Sequence, residues 1–289
     1  MSSYDYQKIS INEISSYSPW PARLLSLQPF TIKEKTPSEI TREFGKEKWG
    51  KLFSYFSNKS HFSLSDVESK EIDLEKKTAC YDHQIGFHVT RLGNAVKRQL
   101  AIYKNILEPY ASEASCLVEL GAGYGSKILR LSEIESMKNL PLYAGEYTES
   151  GQELITLISK TINKPIKVGY CDFDKLHISG LDIPKNAIIF TSYSVHYVSH
   201  LQDNFVDFLC QFKPKVVIHF EPCYEYFDRE VLQDLMSRRY MDINGYTRNI
   251  ASCVELGCLK VGAKMRRKKM VFGSNPFLPF SVLEWIPRS

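Results

Sequence analysis

The sequence predicts an α/β fold: a three-layer arrangement in which helices cover both faces of a mostly parallel sheet. Three observations predict it. A short apolar run, Cys116-Leu117-Val118, leads through Glu119 into three glycines at alternate positions, Gly121, Gly123 and Gly125, and then into a helical stretch. From about Ser115 onward, apolar runs alternate with helical stretches, the pattern of strand–helix–strand crossovers. The tail adds short apolar runs that read as a closing pair of strands.

Ahead of that core, residues 1–110 read as a mainly helical extension. Pro19-Trp20-Pro21 forces an extended or turned path, so an arm packing Trp20, Leu24, Leu25 and Phe30 onto another element is expected. Thr36-Pro37-Ser38-Glu39 reads as a helix start, with Thr36 as N-cap, Pro37 at the first position and Glu39 capping back. The helix runs through Phe44 toward Trp49, and Trp49, Phe53 and Phe56 at helical spacing read as core. Residues 60–77 read as a polar surface loop or short helix. Tyr81 to Arg91 gathers Tyr81, Asp82, His83, His88 and Arg91 just before a long helix, Leu92 to about Leu107; taken alone it is a polar helix entry.

The sheet domain is expected over residues 111–289. Its first strand, Cys116–Leu120, is short enough to be buried on both faces. The glycines follow because a Cβ would block both a tight turn and the close approach of a ligand. Ile128, Leu131 and Ile134 then recur at helical spacing. A second strand, Leu142–Glu146, precedes a helix through Leu154, Leu157 and Ile158, and the right-handed crossover rule sets it beside the first. A third, Ile166–Tyr170, ends in Cys171-Asp172-Phe173-Asp174. The fourth, Ala187–Thr191, leads into Ser192-Tyr193-Ser194-Val195-His196-Tyr197, and the fifth, Lys215–Phe220, into Glu221-Pro222-Cys223-Tyr224-Glu225. In the order 3-2-1-4-5 the switch point lies between strands one and four, where ligands bind at the carboxyl ends. The closing runs are 256–261, 269–273 and 281–286, preceded by a polar, aromatic insertion at 238–249 able to fold back over the site.

The sixth position of the glycine loop is Ser126, where a dinucleotide fingerprint wants Gly or Ala. Glu119-x-Gly121-x-Gly123-x-Gly125 instead resembles the cofactor loop of class I (Rossmann-like) S-adenosylmethionine-dependent methyltransferases. A nicotinamide or flavin fold, or a glycine turn with no ligand, are the alternatives. The resemblance implies S-adenosyl-L-methionine as cofactor and a sheet ordered 3-2-1-4-5-7-6, its final strand antiparallel. Glu119, Gly121, Gly123 and Gly125 would form the loop. Glu146, at the carboxyl end of the second strand and 25 residues beyond Gly121, is placed to accept from the ribose hydroxyls, with Glu149 as the other choice and an ordinary helix acid as the bland one. Asp172 and Phe173 match the family's adenine site, and Ser192 joins the cofactor set. In this family the segment before the first strand commonly closes over the cofactor, which makes Tyr81, His83, His88 and Arg91 candidates for substrate or cofactor-carboxylate contact.

Methyl transfer from a sulfonium needs alignment, exclusion of water and, for a hydroxyl or protonated amine acceptor, a base. His196 is the first choice: its Val-His-Tyr setting is similar to the Leu-His-His of many small-molecule methyltransferases, although a histidine satisfying a buried network reads the same. Glu221 is second, as a base or as a group orienting a cationic acceptor, since an unpaired buried carboxylate is costly. His219, inside the fifth strand, reads as structural. Tyr193 and Tyr224 read as pocket walls, hydrogen-bond donors or core.

Composition narrows the classes. The chain has 289 residues, 43% of them hydrophobic, and a net charge of +4, far from the asymmetry of a protein that lives on nucleic acid. Seven cysteines without a CxxC pair give no disulfide framework and no metal site. No apolar run approaches membrane-spanning length and MSSYDYQKIS lacks a signal-peptide stretch, so a cytoplasmic protein with no membrane partner is expected. Lys264-Met265-Arg266-Arg267-Lys268-Lys269 reads as a solvated hairpin turn. The leading expectation is an enzyme methylating O or N of a small polar metabolite, a sugar or natural-product intermediate; a nucleic-acid partner is not expected, and a homodimer stays open. The alternatives are a protein or peptide methyltransferase, an RNA methyltransferase, and a non-catalytic cofactor binder.

Overall fold

The computed structural model describes residues 4–32 and 35–288. One mixed sheet of eleven strands runs through it. In chain order these are β1 (Gln7–Lys8), β2 (Lys77–Asp82), β3 (Gly86–Arg91), β4 (Leu117–Leu120), β5 (Leu142–Glu146) and β6 (Ile166–Asp172). They continue as β7 (His177–Ser179), β8 (Ile188–Ser192), β9 (Val216–Glu221), β10 (Lys264–Gly273) and β11 (Phe280–Ile286). The helices are α1 (Trp20–Leu24), α2 (Pro37–Ile40), α3 (Lys51–Phe56), α4 (Leu64–Glu71) and α5 (Leu92–Ala111). After β4 come α6 (Ser126–Leu131), α7 (Glu149–Thr161), α8 (Phe205–Cys210), α9 (Leu232–Ile243) and α10 (Ile250–Val261).

The order across the sheet is β1-β3-β2-β10-β11-β9-β8-β4-β5-β6-β7. Strands β6, β5, β4, β8 and β9 are all parallel, and β11 runs antiparallel between β9 and β10. Every residue of β4, β5, β8 and β9 is buried, as expected for parallel strands covered on both faces. Alternation along the strands sorts the core into two layers. Leu117, Ile188, Phe190, Ile218 and Phe220 pack with Tyr103, Leu107, Ile128 and Ile158 of α5, α6 and α7. Cys116, Val118, Ile189 and Val217 face Phe205, Leu209, Val254 and Trp285 on the other side. Tyr103 stacks on Phe220 with ring centroids 3.9 Å apart, a contact worth roughly 0.5–1.5 kcal/mol beyond its burial.

The sheet is wider than the seven strands expected. Strand β7 adds to one edge, and β2, β3 and β1 extend the other, so the first 110 residues supply strands as well as helices. Tyr81–Arg91, expected to lead into α5 as a pocket segment, is instead most of a hairpin: Gly86 at φ +83° opens its second strand, and Asp82 and Tyr81 pair with Phe272 and Gly273 of β10. Residues 256–261, expected as a strand, are the last turns of α10. Short apolar runs do not distinguish helix from strand, and here Ala251, Val254 and Cys258 bury one helical face while Gly262, at φ +69°, ends the helix. The basic run is not a hairpin turn but strand β10: Lys264–Lys268 pair with β11, while β2 meets β10 only at Phe272 and Gly273. Arg267 pairs with Glu255 at 2.6 Å and Lys269 lies over the Tyr226 ring. Thr36 caps α2 as expected, accepting from the Glu39 N–H at 3.3 Å, while the Glu39 carboxylate accepts from Arg42 at 3.0 Å. Among the described residues no helix is long and apolar enough to cross a membrane.

Candidate functional site

At the carboxyl end of β4 the chain needs three left-handed residues in five, and glycine supplies them: Gly121, Gly123 and Gly125 have φ of +73°, +61° and +80°. The N–H groups of Gly121 and Ala122 both donate to the Gly145 carbonyl at the end of β5, at 2.8 and 3.0 Å, fixing the loop to the neighbouring strand. A Cβ on Gly121 would stand 2.3 Å from the Ser194 Cβ, so only glycine lets the loop after β8 come this close.

Two carboxylates hold the loop from below. Glu119 is fully buried; one oxygen accepts from the Ile128 N–H at 3.1 Å and the other has no partner among the described residues. Burial, opposed by Lys127 and the Ile128 N–H, pushes this carboxyl up to about 7. Glu146, at the end of β5, accepts from the Gly123 N–H at 2.8 Å through Oε2, and from the Thr148 N–H and hydroxyl at 3.0 and 2.7 Å through Oε1. Its pKa is raised, burial outweighing those donors.

A cavity of about 620 Å³ lies over these strand ends. Gly121, Gly123, Glu146, Asp172, Phe173 and Ser192 all line it. Asp172 is positioned by the N–H groups of Asp174 and Lys175, at 3.0 and 3.1 Å, and by the Tyr170 hydroxyl at 2.9 Å. The hydroxyls of Ser192 and Tyr103 share a hydrogen bond at 2.6 Å, and Gln99 donates to Tyr103 at 2.7 Å. The opposite wall is Lys35, Thr36, Pro37, Ile40, Phe44 and Trp49. Lys35 and the N-cap Thr36 lead into α2, and the others belong to α2 and the widened, π-type helix at Thr41–Gly50, which the Ser150 hydroxyl ties to α7 through the Gly45 carbonyl at 2.7 Å.

A second cavity of about 370 Å³ adjoins the first, sharing Glu71, Tyr124, Lys127, Tyr193 and Tyr197. Its walls include His196, Tyr240, Tyr246, Gln99 and Asn275. His196 is 1% exposed and its Nδ1 lies 3.1 Å from Oε2 of Glu221. Glu221 also accepts from the N–H groups of Ser194, at 3.0 and 3.1 Å to its two oxygens, and of Val195 at 3.2 Å. Burial would raise the Glu221 pKa, but His196 and the backbone donors outweigh it and hold it below the usual carboxylate value. The ionised carboxylate can only accept, so the imidazole proton sits on Nδ1 and Nε2 is left as an acceptor. Burial, opposed by Glu221, keeps the His196 pKa below that of a free imidazole.

No protein-family model matches the chain, and no curated protein matches it. Among solved structures, a magnesium protoporphyrin IX methyltransferase from Synechocystis PCC 6803 with bound SAH superposes at a TM-score of 0.53, with 11% identity over 86% of this chain and 97% of that one. The fold is that of the class I methyltransferases. A geranyl diphosphate methyltransferase in complex with GPP and sinefungin (TM-score 0.49, 9% identity, 83% of this chain and 99% of that one) and the methyltransferase domain of a bacterial Hen1 (0.47, 16%, 66% and 99%) are further structures it is similar to.

Within this methyltransferase fold, the glycine loop, Glu146, Asp172, Phe173, Ser192 and Tyr193 meet at one cavity, with His196 in the chamber beside it. Glu119 and Gly125 stand behind the loop and do not line the cavity; Gly125 is the left-handed residue that opens α6. Glu221 does not reach either cavity, since its oxygens are turned to the turn after β8. Tyr81, His83, His88 and Arg91 are not brought to the site. His88 is buried between the Tyr4 hydroxyl, at 2.7 Å, and the Gly86 carbonyl, at 3.0 Å; Arg91 pairs with Glu75 on the surface; His83 is exposed; and Tyr81 packs edge-on against Phe87. Tyr224 lies elsewhere too, under the Arg238 guanidinium. His219 is locked between Thr191 and the Trp285 N–H, and burial lowers its pKa to about 4.

Sequence reasoning missed the covering wall. Trp49 reads as core because its spacing with Phe53 and Phe56 is that of a packed helix face, and it does pack, its ring centroid 5.1 Å from that of Tyr124; Phe44, a residue the predicted helix only passes through, packs 5.9 Å from Trp49. Tyr197 and Tyr246 were also missed as walls; their rings lie 4.2 and 4.5 Å from His196. The polar, aromatic character of the 238–249 insertion was the only sign of Tyr246.

Proposed function

We propose that this protein is an S-adenosylmethionine-dependent methyltransferase acting on O or N of a small molecule held in the 370 Å³ chamber, with His196 as general base. The single observation that carries the reading is the His196–Glu221 pair, with His196 in the wall of a chamber that adjoins the glycine-loop cavity and Glu221 behind it.

The residues present fit the cofactor. The cavity's volume falls within the range of small-molecule sites. Glu146 uses one of its oxygens for a single N–H, which leaves that carboxylate able to accept ribose hydroxyls. Asp172 and Phe173 would take the adenine edge and face. Bound there, S-adenosylmethionine would supply an electrophilic methyl group.

The rest is the work of this chain's own side chains. Glu221 holds the Nδ1 proton and so presents Nε2 to the chamber; Nε2 takes the proton of the acceptor's hydroxyl or ammonium as the acceptor becomes nucleophilic. Glu221 is therefore the orienting group, not a second base. The π-type helix with Phe44 and Trp49 serves as a lid excluding water, while Tyr193 and Tyr197 wall the passage between the two cavities. A small polar metabolite suits a chamber rimmed by tyrosine hydroxyls, Gln99 and Asn275.

The test is calorimetry with S-adenosylmethionine, its demethylated product and a pyridine dinucleotide, followed by a screen for methyl incorporation into small hydroxyl and amine compounds. Micromolar binding of the first two supports the reading. Binding of the dinucleotide alone, or of none, overturns it.

A further inference from the structure

We propose that Lys35 is a positioning residue for His196: a buried ammonium on the cavity cover that favours the neutral imidazole across a shared pair of tyrosine rings. The inference rests on the methyl-transfer reading, in which His196 must be neutral to accept a proton.

The Lys35 side chain is 4% exposed, an environment a lysine reaches only with compensation. Two kinds are present. Its Nζ lies 2.9 Å from Oε2 of Glu43, eight residues further along the cover. It also stands over two aromatic faces, 5.2 Å from the centroid of Tyr197 and 5.7 Å from that of Tyr246, within the range of cation–π attraction. Those are the same two rings that pack against the imidazole of His196, at 4.2 and 4.5 Å.

The groups around His196 can be named from each element. Glu221 of β9 contacts Nδ1 and favours the protonated ring. Tyr193 and Tyr197 come from its own turn and Tyr246 from the segment after α9; burial raises the pKa of all three hydroxyls, so they stay neutral. Lys35 and its partner Glu43 come from the cover, and Lys35 acts against Glu221, in the same direction as burial. An ionised carboxylate beside a buried histidine would otherwise tend to trap it as imidazolium, which has no lone pair for a substrate proton. Because Lys35 also lines the larger cavity, seating of the cover and readiness of the base are coupled.

The experiment compares Lys35→Met, Lys35→Gln and Lys35→Arg with the wild-type chain. The His196 imidazole is titrated by NMR, its signal assigned by loss in His196→Asn, and folding is checked by near-UV circular dichroism. Lys35→Met and Lys35→Gln should raise the His196 midpoint by about half a unit or more, the scale of one partly compensated neighbouring charge. Lys35→Arg should restore the wild-type midpoint, and the acid limb of any methyl-transfer pH profile should shift with it. A folded Lys35→Met or Lys35→Gln chain with an unmoved midpoint overturns the proposal. S-adenosylmethionine binding is measured separately: absent binding with a shifted midpoint overturns the methyl-transfer reading and supports the Lys35–His196 coupling.

Discussion

His196 Nδ1 stands 3.1 Å from Glu221 Oε2, and the two side chains are 1% and 0% exposed. The residues are 25 apart in sequence, and the parallel register of β8 with β9, Ser192 opposite Phe220, brings their strand ends together. The left-handed Tyr193 then turns the chain so that the N–H groups of Ser194 and Val195 point at the same carboxylate. Glu221 thus organises the whole turn, and the turn aims the imidazole.

Replacing His196 by Ala should lower methyl transfer by about 10²–10⁴-fold, the usual worth of a positioned base, while S-adenosylmethionine affinity stays within about threefold. Glu221→Gln should act on both stability and rate. A carboxamide turns an NH₂ toward backbone donors, leaving buried groups unmatched at about 1–3 kcal/mol. Denaturant midpoints and single-turnover rates separate the two effects. Full activity in His196→Ala would remove the dyad from catalysis.

Gly121→Ala should prevent loop closure. The residue sits at φ +73° and the added Cβ would lie 2.3 Å from Ser194 Cβ and 3.1 Å from the Phe173 ring. Strain of about 1–3 kcal/mol is expected from the backbone alone, before the steric conflict is relieved by moving the turn that carries His196. Calorimetry should show cofactor affinity lowered by ten-fold or more; affinity within twofold of wild type would show that the turn yields.

The fold was legible where local pattern and burial agree. Fully buried parallel strands leave continuous apolar runs, and the three glycines announce a turn that other residues cannot make. That Glu146 and Asp172 line the larger cavity is legible because position at a strand's carboxyl end is itself the signal. What escaped depends on contacts distant in sequence. Nothing local to Tyr81–Arg91 says that β2 pairs with Gly273, nearly two hundred residues on, so its histidines looked free for chemistry. Trp49 carries the spacing of a core residue, and only the position of α2 and the π-type helix over Gly123 turns it and Phe44 into a cavity wall. Glu221 reads from sequence as a base or a group orienting a cationic acceptor because its donors, Ser194 and Val195, come from another strand's turn.

Glu146→Ala should loosen the glycine loop and, on the proposed reading, also remove the acceptor for the ribose hydroxyls. It deletes the acceptor of the Gly123 N–H and of both Thr148 donors, in a setting where Glu146 is 5% exposed. Unsatisfied buried donors cost about 1–3 kcal/mol, so the melting temperature should fall even without ligand. Glu146→Gln keeps an acceptor on one side and should lie between. If thermal shift by S-adenosylmethionine survives Glu146→Ala at wild-type size, the ribose assignment is wrong.

Glu119 makes folding stability depend on pH in a direction opposite to that of a salt-bridged acid. Burial, the largest influence, pushes its carboxyl to about 7, against a value of 4.5 for the exposed group, and Glu146 acts in the same direction. The folded state therefore holds this proton more tightly than the unfolded chain. Its contribution is fully present below pH ~4.5 and is lost as pH rises through about 7, a difference of ~3 kcal/mol at most by linkage. Urea midpoints measured from pH 5 to 8 should thus fall more steeply in the wild type than in Glu119→Gln, which cannot ionise yet still accepts from the Ile128 N–H. Other buried acids with raised pKa values, Glu71 and Glu146, tilt both curves alike, so the difference between the two slopes isolates Glu119. Parallel curves would mean that the unpartnered oxygen is hydrated and the carboxylate ionised in the folded protein.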